Sequence, residues 1–546
     1  MKPSISEYFR HNVHHTPLPA LIDELAHLHR DHPMISLPRD NHDVAAGYRD
    51  ISYGDFSRAV NRAASWIVDT LGSCSTNFEV LHYVAPQDLS YMIIMLAAVK
   101  TGYQTLTCHP AAEVDTHLSL IEKTNCRILL HPSPGHPKAN AIQLRQPDLM
   151  LITTPSLDSW LSESYSPMRV YPYEKPLADA LSDPFAIIHT SASTGAAKPI
   201  YMTHATMTQQ SLAFARCQSL ATINFTHWQD RRVALLTPLS IAAGLYNVLG
   251  INIFFNLTIV LPIPGVRMSA AILDDVLQHG RVTACILSPK FLRDTCANPT
   301  YLHRLRCLQH LAVVGAPFPT DLGPIMRAHT RLAHIYGSSE ANIFPVHTTD
   351  DPEDWAYMKL DPVLSHEFRP VVKGYHELVL LRNDEGRCQS AFYMFPHMQD
   401  YPMKDLFVQH PRKKDLWRYC GRIDDLTNSE TEGRFLPREM EMALEAHPGI
   451  TAAVLCDEKG GDIPVLLEVD PALVGGGRRE DWIDSIWSAV EIANEKCPID
   501  NASIKKHGVI FVHPDRPLPI GVKGFPQRAA SKTLYAAEIM ASYRRI

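Results

Sequence analysis

Apolar residues recur at helical spacing in ISYGDFSRAVNRAASWIVDTLG, where Phe56, Val60, Ala63, Ile67 and Leu71 share one face behind an N-cap-like turn. Strand-like VLHYVAP follows, and then a helix through LSYMIIMLAAVKTGY. CRILLHP and LMLITTP are short apolar runs bounded by Pro, the pattern of buried parallel strands. Strands and helices alternating in this way predict an α/β fold. The first forty residues, dense in Pro and His, predict an irregular lead-in to the first core element.

From Val233 to Val266 no side chain is charged. Pro238, Gly244, Asn247, Gly250, Asn252 and Asn256 interrupt the stretch, and Pro262 and Pro264 end it. It therefore reads as strand (VALLTP), buried helix (AAGLYNVLGINIFF) and strand (LTIVLP) inside the core, and not as a membrane span. Further on, FLPREMEMALEAHPGI has Pro437 at its first turn and Glu439 and Glu441 near the positive end, a clear helix start.

Composition changes this picture little. A chain of 546 residues is too long for one core, so two or more domains are expected. A formal charge of −7 gives no reason to expect a nucleic-acid or anionic-membrane surface. Eleven cysteines without a CxxC pair fit reduced thiols in a cytoplasmic protein, and MKPSISEYFRHNVHH lacks the apolar core of a signal peptide.

Chemistry concentrates in Ile187 to Ile200, IIHTSASTGAAKPI. An apolar strand end breaks into Thr190, Ser191, Ser193, Thr194 and Gly195, and Lys198 closes the run. Hydroxyls and backbone N–H groups converging in such a loop can wrap phosphate oxygens, although no Gly-Lys-Ser/Thr ends it as in a Walker A loop. On this stretch alone a plain surface turn stays open. Later, RLAHIYGSSEANIFP places an aromatic before a Gly turn, suited to a purine face, and a carboxylate nearby that can hold Mg2+ against phosphates.

In order and spacing these segments resemble the adenylate-forming superfamily of acyl-CoA synthetases, luciferases and peptide synthetase adenylation domains. The Lys-Pro-Ile ending and leading His are most similar to the adenylation domain of fungal peptide-synthetase-like carboxylate reductases. The resemblance covers essentially the whole chain. It implies that Thr190, Ser191, Ser193, Thr194, Gly195 and Lys198 hold the β- and γ-phosphates of ATP. Gly315, Ala316 and Pro317 would border the adenine, Tyr336 would stack on it, and Gly337, Ser338 and Ser339 would form the turn near the α-phosphate. Glu340 would be the magnesium ligand, Asp405 would accept both ribose hydroxyls, and Arg422 of Gly-Arg-Ile-Asp-Asp would reach the nucleotide, with Asp424 as the hinge. Ser240, Ile241 and Gly244 lie in the segment that lines the acid pocket, where Ser240 replaces the usual aromatic and Ile241 the usual histidine. The absence of an Asp for an α-ammonium group argues against an α-amino acid. Lys523, in Leu-Pro-x-x-x-Lys-Gly-x-x-Gln-Arg, would be the catalytic lysine, with Lys532 as the fallback in a solvated helix.

The expected fold is thus a large N-terminal α/β domain of the adenylate-forming type, residues 1–423, with a smaller mobile C-terminal α+β domain, residues 424–546. The implied reaction is Mg·ATP-dependent activation of a carboxylic acid, aryl or polyketide-derived, to an acyl-adenylate. No carrier signature or nicotinamide-binding Gly pattern follows, so the expected acceptor is a carrier-protein phosphopantetheine thiol in trans. Two alternatives stay open: a free-standing acid–CoA ligase, and a homologue that binds nucleotide or acid without turnover. The second rests on Ala192 and Ala197, which stand where the loop usually has Gly and Pro and could crowd the phosphates.

Overall fold

The computed structural model describes residues 3–74, 77–162, 169–190, 197–349, 351–383, 387–470, 478–521 and 525–543. Two largely parallel sheets carry the first part of the chain. One has six strands in the spatial order Met150–Thr154, Ile128–Pro132, Val80–Tyr83, Gln104–Thr107, Pro184–Thr190 and Lys198–Thr203. Its first five strands run parallel and the last returns antiparallel. The other has seven, in the order Arg331–Ile335, His310–Val314, Ala284–Leu287, Arg232–Leu235, Thr258–Val260, Pro33–Pro38 and Tyr48–Ser52. Here too only the last, Tyr48–Ser52, is antiparallel. Chain reversals after central parallel strands leave loops at their C-terminal ends, where ligands of α/β sheets usually sit.

The uncharged stretch forms, as its pattern predicts, the strands Arg232–Leu235 and Thr258–Val260 around a buried helical run from Ala242 to Phe254, whose middle, Asn247–Ile251, winds as a π-helix. Among the described residues no helix is long and apolar enough to cross a membrane. The helix Tyr53–Leu71 starts at Ser52, whose hydroxyl accepts from the Asp55 N–H while Asp55 reaches back, a reciprocal cap that satisfies two orphan donors.

Two expectations fail. The first forty residues are not irregular: they form helices Ile5–Asn12 and Leu18–Leu28 and the strand Pro33–Pro38. Ser4 and Glu7 cap the first helix reciprocally, Pro19 sits in the first turn of the second, and Ile5, Phe9, Leu21, Ile22 and Leu25 are buried. LMLITTP is not a buried strand either. Met150–Thr154 is the edge of its sheet, with Met150 56% exposed.

A four-stranded antiparallel sheet follows, His366–Val372, Tyr375–Leu381, Asp400–Gln409 and Trp417–Arg422. Beyond it come the hairpin Thr427–Ser429/Gly433–Phe435 and a three-stranded sheet, Ile450–Leu455, Val465–Val469 and Val509–Phe511. The helices Arg438–Glu445 and Arg479–Glu495 contribute Met440, Leu444, Ile483, Ile486 and Val490 to a core of its own with that sheet.

Candidate active site

Thr190 ends one strand and is paired in register with Lys198, the exposed first residue of the next. Residues 191–196, including Ser191, Ala192, Ser193, Thr194 and Gly195, lie outside the described residues, as does Lys523. The far side of the loop is anchored from behind. Lys123 Nζ donates to the Ala197 carbonyl at 2.8 Å, and Ala197 is buried beside Leu106, Leu120 and Ile187. Its methyl group therefore fills core space. Behind the same strands, His82 and His117 are fully buried and their ring nitrogens approach at 3.0 Å. Burial pushes the His82 imidazole down to about 4.

The segment predicted to meet the adenine begins at Gly315, exposed and at φ 92°, a left-handed position natural to glycine. Ala316 and Pro317 follow it, half-exposed. Tyr336 is buried, its ring edge-on to Phe344 and Phe407 at centroid distances of 5.5 and 5.3 Å. Its hydroxyl donates to Asp405 Oδ2 at 2.7 Å. Burial first, and then the Asp405 carboxylate, hold the Tyr336 phenol well above its ordinary pKa, so it stays a donor. On the other side of Asp405, Arg422 Nε lies 3.7 Å from Oδ1. Three residues predicted to serve the nucleotide from separate motifs thus form one cluster.

Gly337 and Ser338 pair with Ile343 and Asn342 in a tight hairpin. A Cβ at Gly337 would lie 1.9 Å from the Asn342 carbonyl oxygen, so the hairpin closes only on glycine. Ser338 Oγ accepts from the Ala341 N–H at 3.1 Å, and the Ser339 carbonyl accepts from the Tyr246 hydroxyl at 2.7 Å. Ser390 Oγ donates to the Glu340 carbonyl at 3.1 Å. The Glu340 side chain is half-exposed and makes no ion pair among the described residues, which suits a carboxylate meant for a hard cation.

In the acid segment, Ser240 is buried and gripped by Gln87: Gln87 Nε2 donates to Ser240 Oγ at 2.8 Å, and the Ser240 N–H donates to Gln87 Oε1 at 3.1 Å. Ile241 precedes the helix Ala242–Tyr246. A Cβ at Gly244 would come within 2.3 Å of the Pro238 carbonyl oxygen, so this turn too closes only on glycine. Gln87 and Tyr246 escaped the sequence reading. The first stands 153 residues from its partner, and the second is one Tyr in an apolar run.

Asp424 is exposed in the short 3-10 turn Ile423–Asp425, directly after the four-stranded sheet. Arg418 of that sheet pairs with Glu439 of the helix Arg438–Glu445 at 2.8 Å, across a cleft of about 370 Å3 that Trp355, Tyr357 and Lys496 also line. Lys532 is not solvated: it is partly buried and bonds Asp457 at 2.7 Å. Arg528 Nη2 donates to Glu441 at 2.8 Å, and Arg438 forks onto Glu445 at 2.9 and 3.2 Å.

Two parallel sheets, an antiparallel sheet and a separate α+β unit, with nucleotide-type motifs gathered at the loops, define an adenylate-forming ligase. Residues 24–366 match the AMP-binding enzyme family and residues 424–546 its AMP-binding enzyme C-terminal domain, and the chain belongs to this family. It is 27% identical over 535 residues to an isocyanide synthase–NRPS hybrid of Aspergillus fumigatus, covering 96% of this chain and 33% of that protein. It is 24% identical over 515 residues to a carboxylic acid reductase of Neurospora crassa, covering 92% of this chain and 48% of that one. The chain thus spans half or less of these relatives' length. Among solved structures, ATP-bound MatB from Rhodopseudomonas palustris superposes with a TM-score of 0.69 at 16% identity, covering 96% of this chain and 99% of that chain.

Proposed function

We propose that this chain converts a carboxylic acid, aryl or polyketide-derived, and ATP into an acyl-adenylate and pyrophosphate, then passes the acyl group to the phosphopantetheine thiol of a carrier protein as a thioester, with release of AMP. The observation that carries the reading is the Tyr336–Asp405–Arg422 cluster, which joins three nucleotide motifs around one buried carboxylate. In the first step the acid's carboxylate oxygen bonds to the α-phosphorus, and the bond from that phosphorus to the bridging oxygen of the β-phosphate breaks. Two anions meet, so donors and cations matter more than a base. Asp405 accepts the ribose hydroxyls, the 190–198 loop wraps the outer phosphates, and Arg422 reaches the nucleotide. Glu340 would hold Mg2+, which when bound shields charge on the phosphates.

In this proposal residues 1–423 and 424–546 act as separate domains, with Asp424 as the hinge. Lys523 then arrives with the small domain for adenylation and leaves before thiol transfer. The carrier acceptor is favoured by relatives that are themselves a synthetase hybrid and a reductase. The test is ATP–pyrophosphate exchange across aryl, aliphatic and amino acids, followed by label transfer to a phosphopantetheinylated carrier or to CoA. Exchange with an aryl or polyketide-type acid and loading of the carrier are expected. Exchange with none of the acids overturns the activation step, and rapid acyl-CoA formation in place of carrier loading makes the chain a CoA ligase.

A further inference from the structure

We infer that Tyr246 is a positioning residue that couples occupancy of the acid segment to the setting of the Glu340 turn, through its hydroxyl bond to the Ser339 carbonyl. This rests on the function proposed above. Tyr246 lies five residues beyond Ile241, where the α-helix Ala242–Tyr246 passes into the π-helical Asn247–Ile251, and is 2% exposed. A buried phenol must bond its hydroxyl or lose the hydration it left, and here the partner is the Ser339 carbonyl, 2.7 Å away and one residue before Glu340. Burial and then the nearby Glu340 charge raise the phenol's pKa, so the hydroxyl donates throughout the working range.

The helix is not free to adjust independently at its other end. Gln87 grips Ser240 through two hydrogen bonds, and the turn between is closed so tightly on Pro238 that only Gly244 fits. Asn247 Nδ2 extends the unit by donating to the Ala243 carbonyl at 2.7 Å. These bonds and the tight turn tie residues 238–247 to one another. A displacement by the incoming acid reaches the Ser339–Glu340 peptide through a rigid ring and one short hydrogen bond. Acid and metal–nucleotide would then bind with mutual assistance, since a coupling of this kind is reciprocal.

The experiment compares the full chain with Tyr246→Phe, using as probe acid the one that gives the highest pyrophosphate exchange. Two quantities are read: the ratio of the acid's KM at low and at saturating Mg·ATP, and the Mg2+ concentration for half-maximal ATP binding, followed by calorimetry without turnover. In the wild type the ratio should exceed one. In Tyr246→Phe it should fall toward one and the Mg2+ requirement should rise roughly three- to tenfold, the worth of one hydrogen bond. A variant with lower melting temperature and rate, but with the wild-type ratio and Mg2+ requirement, overturns the inference and makes the bond merely structural. If Tyr246→Phe does not fold, 3-fluorotyrosine at 246 replaces it. As a stronger donor of nearly the same shape it should lower the Mg2+ requirement, and an unchanged requirement overturns the coupling. A wild type that exchanges with no acid overturns the functional reading and this inference together. An active Tyr246→Phe with intact coupling overturns this inference alone.

Discussion

Asp405 sits between a phenol and a guanidinium, and each neighbour constrains what the carboxylate can do. Tyr336 donates to Oδ2 at 2.7 Å, and Arg422 Nε lies 3.7 Å from Oδ1. Asp405→Asn keeps the shape but turns one acceptor into a donor. It should weaken ATP binding by calorimetry about tenfold or more, because charge-assisted bonds are about twice as strong as neutral ones. Lys523→Ala should act differently. If that lysine meets the reacting groups only during adenylation, exchange should fall on the order of a hundred- to a thousandfold while ATP affinity stays. Transfer from a preformed acyl-adenylate should survive as well. Lys532→Ala should cost little exchange, since that lysine is held by Asp457 within its own domain. A crippled Lys532→Ala with an active Lys523→Ala would reverse the assignment.

Among elements, the buried group of Arg438, Glu441, Glu445 and Arg528 stitches the helix Arg438–Glu445 to the helix Arg528–Leu534. The Glu441 side chain is 2% exposed, and Arg528 bonds both its carboxylate and the Leu455 carbonyl. Glu441→Ala leaves the mostly buried Arg528 guanidinium without its carboxylate partner and should destabilise by about 3 kcal/mol in urea unfolding. The histidines give a pH dependence. Burial holds His82, His204 and His310 at about 4, below an unfolded value near 6.5. Between those values the unfolded chain binds more protons, so stability is intact above about pH 6.5 and is lost as pH falls toward 4. The slope is up to about 1.4 kcal/mol per pH unit for each group. Asp88, raised by burial to about 6, works in the opposite direction over part of that window but is a single group. Urea midpoints from pH 8 to pH 4 should show a plateau and then a steep fall. Elements were legible where the signal is local and long. The stripe of Phe56, Val60, Ala63 and Ile67 was plain, and so was the phosphate-loop order. The helix Ile5–Asn12 was hidden because its evidence is one Ser4–Glu7 cap amid prolines and histidines. The Gln87 grip on Ser240 had no readable trace at all, because two polar side chains 153 residues apart declare a contact only once the fold has brought their loops together.

At the scale of the molecule, Arg418–Glu439 is an ion pair that bridges the antiparallel sheet and the C-terminal unit on either side of residues 423–425. If the chain hinges at Asp424, rotation there has to break this pair. Glu439→Ala should therefore loosen the connection and speed tryptic cleavage after Arg422 severalfold, with cleavage elsewhere unchanged. An unaltered cleavage rate would show that the pair carries no part of the connection.

The seven-stranded sheet has a further consequence, for how the chain is made. Pro33–Pro38 lies between Tyr48–Ser52 and Thr258–Val260, so its inner neighbour is synthesised long after it. The Thr258 hydroxyl that bonds the Pro33 carbonyl is 225 residues downstream, roughly ten to fifty seconds of translation at ordinary ribosome speeds. For that interval the largely apolar strand Pro33–Pro38 emerges with one edge unpaired. Such an edge is a template for the wrong partner, including the same strand on a neighbouring nascent chain. The yield of native protein should thus depend on chaperone supply and translation rate more than the finished sheet's stability suggests.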